Sequence, residues 1–317
     1  MKNRNIHVLL FVGLFFILAL SAFYFKQFVS PEDITRVRLN AKAHNLQIAD
    51  NGNRDKPESQ TNHVVISGPI TALPWENDEK FKNAIEKNGN LILLAAYQTV
   101  LKDPLPGEEY NVHLGANLLA GKVIKPGGIF SQNHTVGPYV ESRGFKKGPT
   151  YVGTTLITTI GGGVCKIAST LYNVTILSNL EIVERHHHGM PVPYVPSGQD
   201  ATVAYGAKDF KFRNNTDDDI MIWAQGIGNV LYMAFYGKSK PPAVQWHHEI
   251  LERQVAPKLY KSNPSLPAGT EKMVIEGMDG LTVRSWITIK NEDGTETTKQ
   301  LGISYYKPFP YVMERGE

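Results

Sequence analysis

The sequence predicts an α+β protein, and three observations predict it. After three glycines at positions 161–163, Ile167, Leu171, Val174, Leu177 and Leu180 recur at helical spacing, which gives an amphipathic helix starting near Cys165. Beyond Asp200 the apolar residues fall in short aromatic or β-branched runs, at 201–205, 210–213, 220–224 and 230–236, parted by Gly206, Asn214-Asn215 and the stretch 226–229. Such runs between turn residues make a meander of antiparallel strands on which a cysteine-bearing helix packs. From Leu259 onward, alternating runs at 281–289 and 299–306 flank Asp293-Gly294, a strong hairpin signal, so the tail reads as a second, small all-β unit.

In order along the chain, Val8 to Phe25 is a run without charge, preceded by Lys2 and Arg4 and followed by Lys26. It is long enough for a bilayer span, and no small-residue cleavage site follows it. Residues 1–29 are therefore expected to be a cytoplasmic stub and transmembrane helix. The basic residues before the span place the rest outside the cytoplasm, as a single-pass protein of the cell membrane. Residues 30–75 are polar with little periodicity and read as a tether. Asn77 to Lys87 is compatible with a helix, whereas 91–100 is apolar and ambiguous between helix and strand. Asn111 to Gly121 looks like a helix ending at glycine, and 122–131 like a strand, a Pro-Gly turn and a second strand. A loop-rich approach through Gly137-Pro138 and Gly144 leads to the glycine run, and the α+β domain is expected to span 76–236. Gly237-Lys238-Ser239-Lys240-Pro241-Pro242 marks a break in composition, so 237–258 reads as a linker and 259–317 as the β domain. Nothing in that tail suggests catalysis.

Composition narrows the function. Hydrophobic content of 42% and charged content of 20% suit a globular protein with a buried core in a chain of 317 residues. A formal charge of +3, with no long basic run, gives no electrostatic case for a nucleic-acid partner. One cysteine excludes an intramolecular disulfide, leaving Cys165 as a packed small residue, an intermolecular partner or a reactive group.

The surroundings of Cys165 favour the reactive group. In the first turn of a helix, unpaired N–H groups and the helix dipole make a thiolate easier to form. Gly162 and Gly163 permit a sharp turn and close approach of a substrate to the main chain, and Lys166 supplies a positive charge. Downstream come Arg185-His186-His187-His188 and then Gly198-Gln199-Asp200. Cysteine, histidine and carboxylate in this order suit a thiol hydrolase or transferase, with Cys165 as nucleophile, His186 or His188 as base and Asp200 orienting the imidazole. A helix-start N–H would stabilise the oxyanion. The plainer role for Asp200 is a turn residue bonding backbone.

Two alternatives stand beside the thiol enzyme, which itself calls for no cofactor. On an extended segment His186 and His188 project to one face, so with Cys165 or Asp200 they could complete a tetrahedral zinc site. The other alternative is non-catalytic: a groove for peptidoglycan or another envelope glycan, lined by Tyr151, Tyr172, Tyr194, Tyr205 and Trp223. His113 and His134 read as incidental, and the adjacent His247-His248 point to different sides, against a shared metal.

The blocks GGGVCKIASTLYN, EIVERHHHGMPVPYVPSGQDATVAYG and DFKFRNNTDDDIMIWAQ, with the lead-in NLLAGKVIKPGGIFSQNHTVGP, resemble the VanW domain, a bacterial family named from a protein accompanying some vancomycin-resistance clusters. The tail from Leu259 to Val312 is similar to the G-five domain of cell-wall-associated proteins. The resemblance implies a cell-envelope setting, a link to glycopeptide resistance and a peptidoglycan or glycan partner, but no reaction. This chain departs from the family pattern at Lys166 and Ala168, where glutamine and serine are usual, at His187 in place of proline, and at Gln199 in place of arginine. If position 199 serves catalysis, the activity of this chain would differ.

Overall fold

The computed structural model describes residues 66–102, 104–152 and 155–317, without the side chains of 151–156. The anchor expected at 8–25 and most of the expected tether lie outside the described residues, and no helix among the described residues is long and apolar enough to cross a membrane. In order, the elements are β1 (Gly68–Pro69), α1 (Glu79–Lys87), β2 (Ile92–Val100), α2 (Glu108–Leu119), β3 (Lys122–Ile124), β4 (Ile129–Ser131) and α3 (Gln132–Thr135). Then come β5 (Lys147–Val152), β6 (Thr155–Ile160), α4 (Cys165–Leu177), β7 (Glu181–Glu184), β8 (Lys211–Arg213), β9 (Ile220–Ile227) and β10 (Val230–Gly237). The tail holds β11 (Ala243–Gln254), β12 (Lys258–Ser262), β13 (Glu271–Ile275), β14 (Gly280–Lys290), β15 (Glu296–Tyr306) and β16 (Tyr311–Arg315).

A five-stranded antiparallel sheet, ordered β1-β2-β10-β9-β3, carries the fold. Strand alternation sorts its residues onto two faces. Leu231, Met233 and Phe235 with Ile220, Ile222 and Ala224 join the main core, into which α2 and α4 deliver Val112, Leu119, Ile167 and Leu171. Ala234 and Tyr236 with Met221 and Trp223 face a smaller cluster covered by α1 through Phe81, Ala84 and Ile85. Asp78 caps α1, its carboxylate accepting from the N–H groups of Lys80 and Phe81 at 2.7 and 3.2 Å. Residues 66–75, expected within the tether, are folded: β1 extends the sheet, and Trp75 is buried and donates to the Tyr236 hydroxyl at 2.8 Å.

Helix α4 is buried at every position from Ile167 to Ile176. The sheet lies under it, and Trp246 of β11 meets Tyr172 from the other side, ring centroids 5.6 Å apart. The expected meander is narrower than the sequence suggests. β9 and β10 are neighbours, but β8 belongs to a separate sheet, β4-β8-β7. Residues 201–205 make no ladder, only the bridge from Ala204 to Lys208, because α4 and the chain at His186 take their polar groups. The approach to the glycine run contains a hairpin, β5–β6, that its Gly and Pro content hides.

The tail is all-β, in two sheets ordered β11-β14-β15 and β12-β16-β13, with β12 and β16 parallel. Thr295 N donates to Asp293 Oδ1 at 2.9 Å in the turn joining β14 to β15, and Gly294 takes a φ of 82°, as the Asp-Gly pair requires. Val283, Ser285 and Ile287 are buried on one face. The stretch 237–258, expected to be a linker, holds the 12-residue strand β11, paired along its length with β14. Only its first residues alternate, Val244 and Trp246 half-buried between exposed Ala243 and Gln245, and from Glu249 on every residue is exposed, so no apolar run marks the strand in the sequence.

Candidate functional site

Cys165 occupies the first turn of α4, where the sequence places it, and the residue is partly exposed. The glycines before it serve packing rather than substrate approach. A Cβ on Gly162 would lie 2.1 Å from the Gly148 carbonyl group of β5, and one on Gly163 2.9 Å from Glu108 Cγ. Asn111 of α2 clamps the same turn, donating through Nδ2 to the carbonyls of Gly162 and Lys146, both at 2.9 Å. Gly162 and Gly163, expected as a substrate loop, are thus a buried seam between α2, β5 and α4.

The same helix holds the segment that carries Asp200. Ser169 Oγ accepts from Ala201 N at 2.9 Å, and Asn173 Nδ2 donates to Gln199 O at 2.9 Å. Thr202, donating its N–H to His186 O at 2.8 Å, sets its hydroxyl 3.3 Å from Cys165 Sγ. The thiol lies 3.6 Å from the Val203 carbonyl.

His188 joins the two. Its Nδ1 lies 2.6 Å from Asp200 Oδ2, and its main-chain N–H donates to the same oxygen at 2.7 Å. On the other side of the ring the Tyr194 hydroxyl lies 3.4 Å from Nε2, and Cys165 is near enough for thiol and imidazole to shift each other's titration. Asp200 is fully buried and accepts on Oδ1 from Arg185 Nη2 at 3.1 Å and from the Tyr306 hydroxyl. Arg185 also donates to Ser304 Oγ at 2.9 Å and lies over the Tyr172 ring.

The electrostatics follow from these contacts. Burial pushes the Cys165 thiol up, but the hydrogen bond and charge of His188, then the Thr202 hydroxyl and Val203 main chain, outweigh it and hold the thiol below its ordinary range. Burial pulls His188 down, yet the bond to Asp200 and then Cys165 raise it to about 9. Burial pushes Asp200 up, and the hydrogen bond and charge of His188 and the charge of Arg185 bring it to about 2. The shifts run toward thiolate for Cys165, imidazolium for His188 and carboxylate for Asp200.

The other expected site residues go elsewhere. His186 Nε2 meets Glu184 Oε1 at 2.9 Å, because β7 ends at Glu184 and the period-two argument that put both histidines on one face no longer applies. Among the described residues no group of three or more His, Cys, Asp and Glu could hold a metal, so the alternative zinc set Cys165, His186, His188 and Asp200 is not assembled. Lys166 turns to Glu108 and lies over the Tyr194 ring, and burial brings it down to about 8. Its charge is not among the causes that lower the thiol. Gln199, at the family's arginine position, reaches His248 Nε2 at 2.9 Å rather than the thiol. Of the aromatic residues expected to line a groove, the side chain of Tyr151 lies outside the described ones and the others are dispersed: Tyr172 is buried beside Trp246, Tyr194 borders His188, and Trp223 packs on Phe81. Tyr205, 58% exposed, lines a cavity of about 410 Å³ with Asn133, His134, Glu184, Lys208 and Lys211. None of Cys165, His188 and Asp200 lines that cavity.

The site residues that sequence reasoning missed are Arg185, Thr202, Ser304 and Tyr306, while Tyr194, expected in a glycan groove, borders His188. Arg185 and Thr202 sit inside the quoted blocks and were legible as polar residues next to the motif; Ser304 and Tyr306 carry no local signal.

Fold and site together define an α+β protein with a cysteine at a helix start beside a buried histidine–aspartate pair. Residues 107–236 match the model of the family described as VanW like protein, so this part of the chain is a VanW-like domain. The chain is 36% identical over 143 residues to the uncharacterized protein YoaR of Bacillus subtilis (strain 168), covering 45% of this chain and 47% of that one. It is 35% identical over 119 residues to the vancomycin B-type resistance protein VanW of Enterococcus faecalis (strain ATCC 700802 / V583), covering 36% and 43%. The chain therefore spans under half the length of the curated relatives it matches. Among solved structures, the G5 domain of IgA1 protease matches at TM-score 0.16 and 21% identity, over 24% of this chain and 92% of that one. HP0197-G5 matches at 0.14 and 17%, over 23% and 97%.

Proposed function

We propose that the chain is a cysteine-dependent hydrolase or transferase acting on amide bonds of cell-envelope peptides. The observation that carries this reading is the pairing of His188 Nδ1 with buried Asp200 at 2.6 Å on the same segment whose Thr202 hydroxyl lies 3.3 Å from Cys165 Sγ. The thiolate attacks the amide carbonyl carbon, and the carbonyl electrons move onto oxygen. The N–H groups of Lys166 and Ile167 bond to Gly163 and Val164, so the Cys165 N–H is the helix-start donor for that oxyanion. As the oxyanion collapses, the C–N bond breaks and His188 Nε2–H protonates the leaving amine. Water or an acceptor amine then attacks the thioester, gives its proton to His188, and releases the thiolate. Asp200 keeps the imidazole in register and stabilises its charge.

The envelope setting comes from the printed name of the Enterococcus relative, a vancomycin resistance protein, and it agrees with the expected span at 8–25 and a location outside the cytoplasm. The tail supports a second, compatible role as a wall or glycan binder, since Tyr260 and Tyr305 are 45% and 60% exposed.

The test is alkylation of Cys165 against pH, followed by mass spectrometry, beside hydrolysis of wall-derived peptides. A thiolate plateau well below the ordinary thiol pKa, lost in His188→Ala, is the expected result. A thiol that reacts only after denaturation would overturn the reading.

A further inference from the structure

We propose that the C-terminal β unit positions the thiol site, with Tyr306 and Ser304 of β15 as its positioning residues. The proposal rests on the thiol-enzyme reading above and adds a role for a tail that the sequence presents as separate.

Three features carry it. First, the direction of the Tyr306 proton is forced. Its phenol oxygen accepts from Gly198 N at 2.8 Å, and an ionised carboxylate can only accept, so the phenol O–H donates to Asp200 Oδ1. Second, the two oxygens of Asp200 are divided by function. Oδ1 is held by Tyr306 and Arg185, which leaves Oδ2 to the two N–H groups of His188. Third, Ser304 and Tyr306 lie two apart on one buried face of β15, and Ser304 Oγ takes the Arg185 guanidinium at 2.9 Å.

Neighbouring contacts seat the tail on the same loop. Lys307 N donates to Gly189 O at 2.8 Å, and the His187 ring meets the Tyr306 ring edge-on at 5.5 Å. Gly198, at a φ of 95°, passes so close to β14 that a Cβ would lie 2.3 Å from Ser285 Oγ. The segment 185–200, which bears both His188 and Asp200, is therefore gripped by the tail at its beginning, middle and end. Without the phenol, Oδ1 keeps only Arg185, the carboxylate gains freedom to rotate, and the imidazole loses its fixed aim at the thiol.

The direction of change distinguishes positioning from electronics. Removing a hydrogen bond from a carboxylate that stays in place makes it a better acceptor for His188, which would favour the thiolate. Loss of aim does the opposite. The experiment is Cys165 alkylation by iodoacetamide across pH in the full chain, as wild type, Tyr306→Phe, Ser304→Ala and Tyr305→Phe, with thermal unfolding of each. Tyr306→Phe is expected to move the profile to higher pH and lower the rate near pH 6 on the order of tenfold, the scale of one hydrogen bond to a charged group. Ser304→Ala should shift it the same way by roughly threefold, as a neutral bond one step further out, and Tyr305→Phe should leave it in place. If wild type shows no early thiolate, the thiol-enzyme reading fails. If wild type does, but Tyr306→Phe leaves the profile unmoved or moves it down, the positioning role is overturned and the enzyme reading stands. Should Tyr306→Phe not fold, Ser304→Ala decides alone, an unmoved profile overturning the proposal.

Discussion

Two histidine–carboxylate pairs begin on the same five-residue stretch, 184–188, and differ in almost everything but distance. His188 Nδ1 lies 2.6 Å from Asp200, and His186 Nε2 lies 2.9 Å from Glu184. The first pair is 13% and 0% exposed at the side chains, the second 39% and 29%. Glu184 divides its charge among His186, the Asp209 N–H and Lys211, and the Lys211 hydrogen bond is the largest cause that holds it at about 2. Asp200 gives one whole oxygen to His188. Solvent screens the exposed pair and leaves the buried one strong. Both contacts are short; what separates the pairs is cover and an oxygen reserved for one histidine.

The largest expected effect breaks the comparison if it is wrong. His188→Ala should lower Cys165 alkylation near neutral pH by roughly 10²–10³-fold, the scale of a lost general base and thiolate partner. His186→Ala should stay within about twofold, because its partner Glu184 keeps Lys211. Equal losses in the two variants, measured on folded protein, would mean that cover is not what separates the pairs. Asp200→Asn comes next: it keeps the shape but cannot stabilise an imidazolium, so a loss on the order of 10²-fold is expected, while Glu184→Gln should be close to neutral.

A comparison of two glycines sharpens the same point for stability. Gly162→Ala drives a Cβ into the Gly148 backbone, neither side of which can yield, and should cost about 3 kcal/mol or more in thermal or urea unfolding. Gly189→Ala, in the histidine motif itself, meets nothing within 4 Å, so the cost should stay within about 0.5 kcal/mol. Equal costs would remove the packing account of the glycine run.

These contrasts also mark what could be read from the chain. Cys165, His188 and Asp200 were legible because a lone cysteine at a helix start, a histidine run and a carboxylate follow one another within 36 positions. Which histidine acts was not legible, since that depends on where β7 ends. Sheet neighbours were legible when joined by a hairpin, as in β9–β10 and β14–β15. They were not when the partner is remote, as for β2 between β1 and β10. Tyr306 reaches Asp200 across 106 positions and Ser304 reaches Arg185 across 119, and no local periodicity encodes such a contact. The glycine run was legible as special but was assigned to a substrate, because sequence does not reveal that β5 lies against it.

The pH dependence of stability gives a smaller signal with a definite sign. His188 is raised from 6.5 to about 9, so its contribution is whole below pH 6.5 and is lost as pH rises through 9. Asp200 is lowered from 3.8 to about 2, so its contribution is whole above pH 3.8 and is lost as pH falls through 2. The thiol, lowered by His188, works against the alkaline loss. Cys165→Ser removes that opposition, and Asp200, the larger of the two raising causes, still keeps His188 up. Unfolding midpoints of Cys165→Ser should therefore decline on the alkaline side, and the decline should disappear when His188→Ala is added. A decline that survives in the double variant would assign it to another group.

The smallest effect on the thiol belongs to Lys166, whose place beside Cys165 makes it the natural candidate for lowering the thiol pKa. Its ammonium lies over the Tyr194 ring and meets Glu108, which is itself buried and also accepts from Leu105 N. A positive charge with its own buried counter-ion has little field left for a neighbour. Lys166→Met should thus change the alkylation profile by no more than about threefold while lowering stability by roughly 3 kcal/mol, since Glu108 is left buried and unpaired. Adding Glu108→Gln should recover part of that stability without moving the profile. A large shift of the profile in Lys166→Met alone would return Lys166 to the site and show that the histidine does not act alone on the thiol.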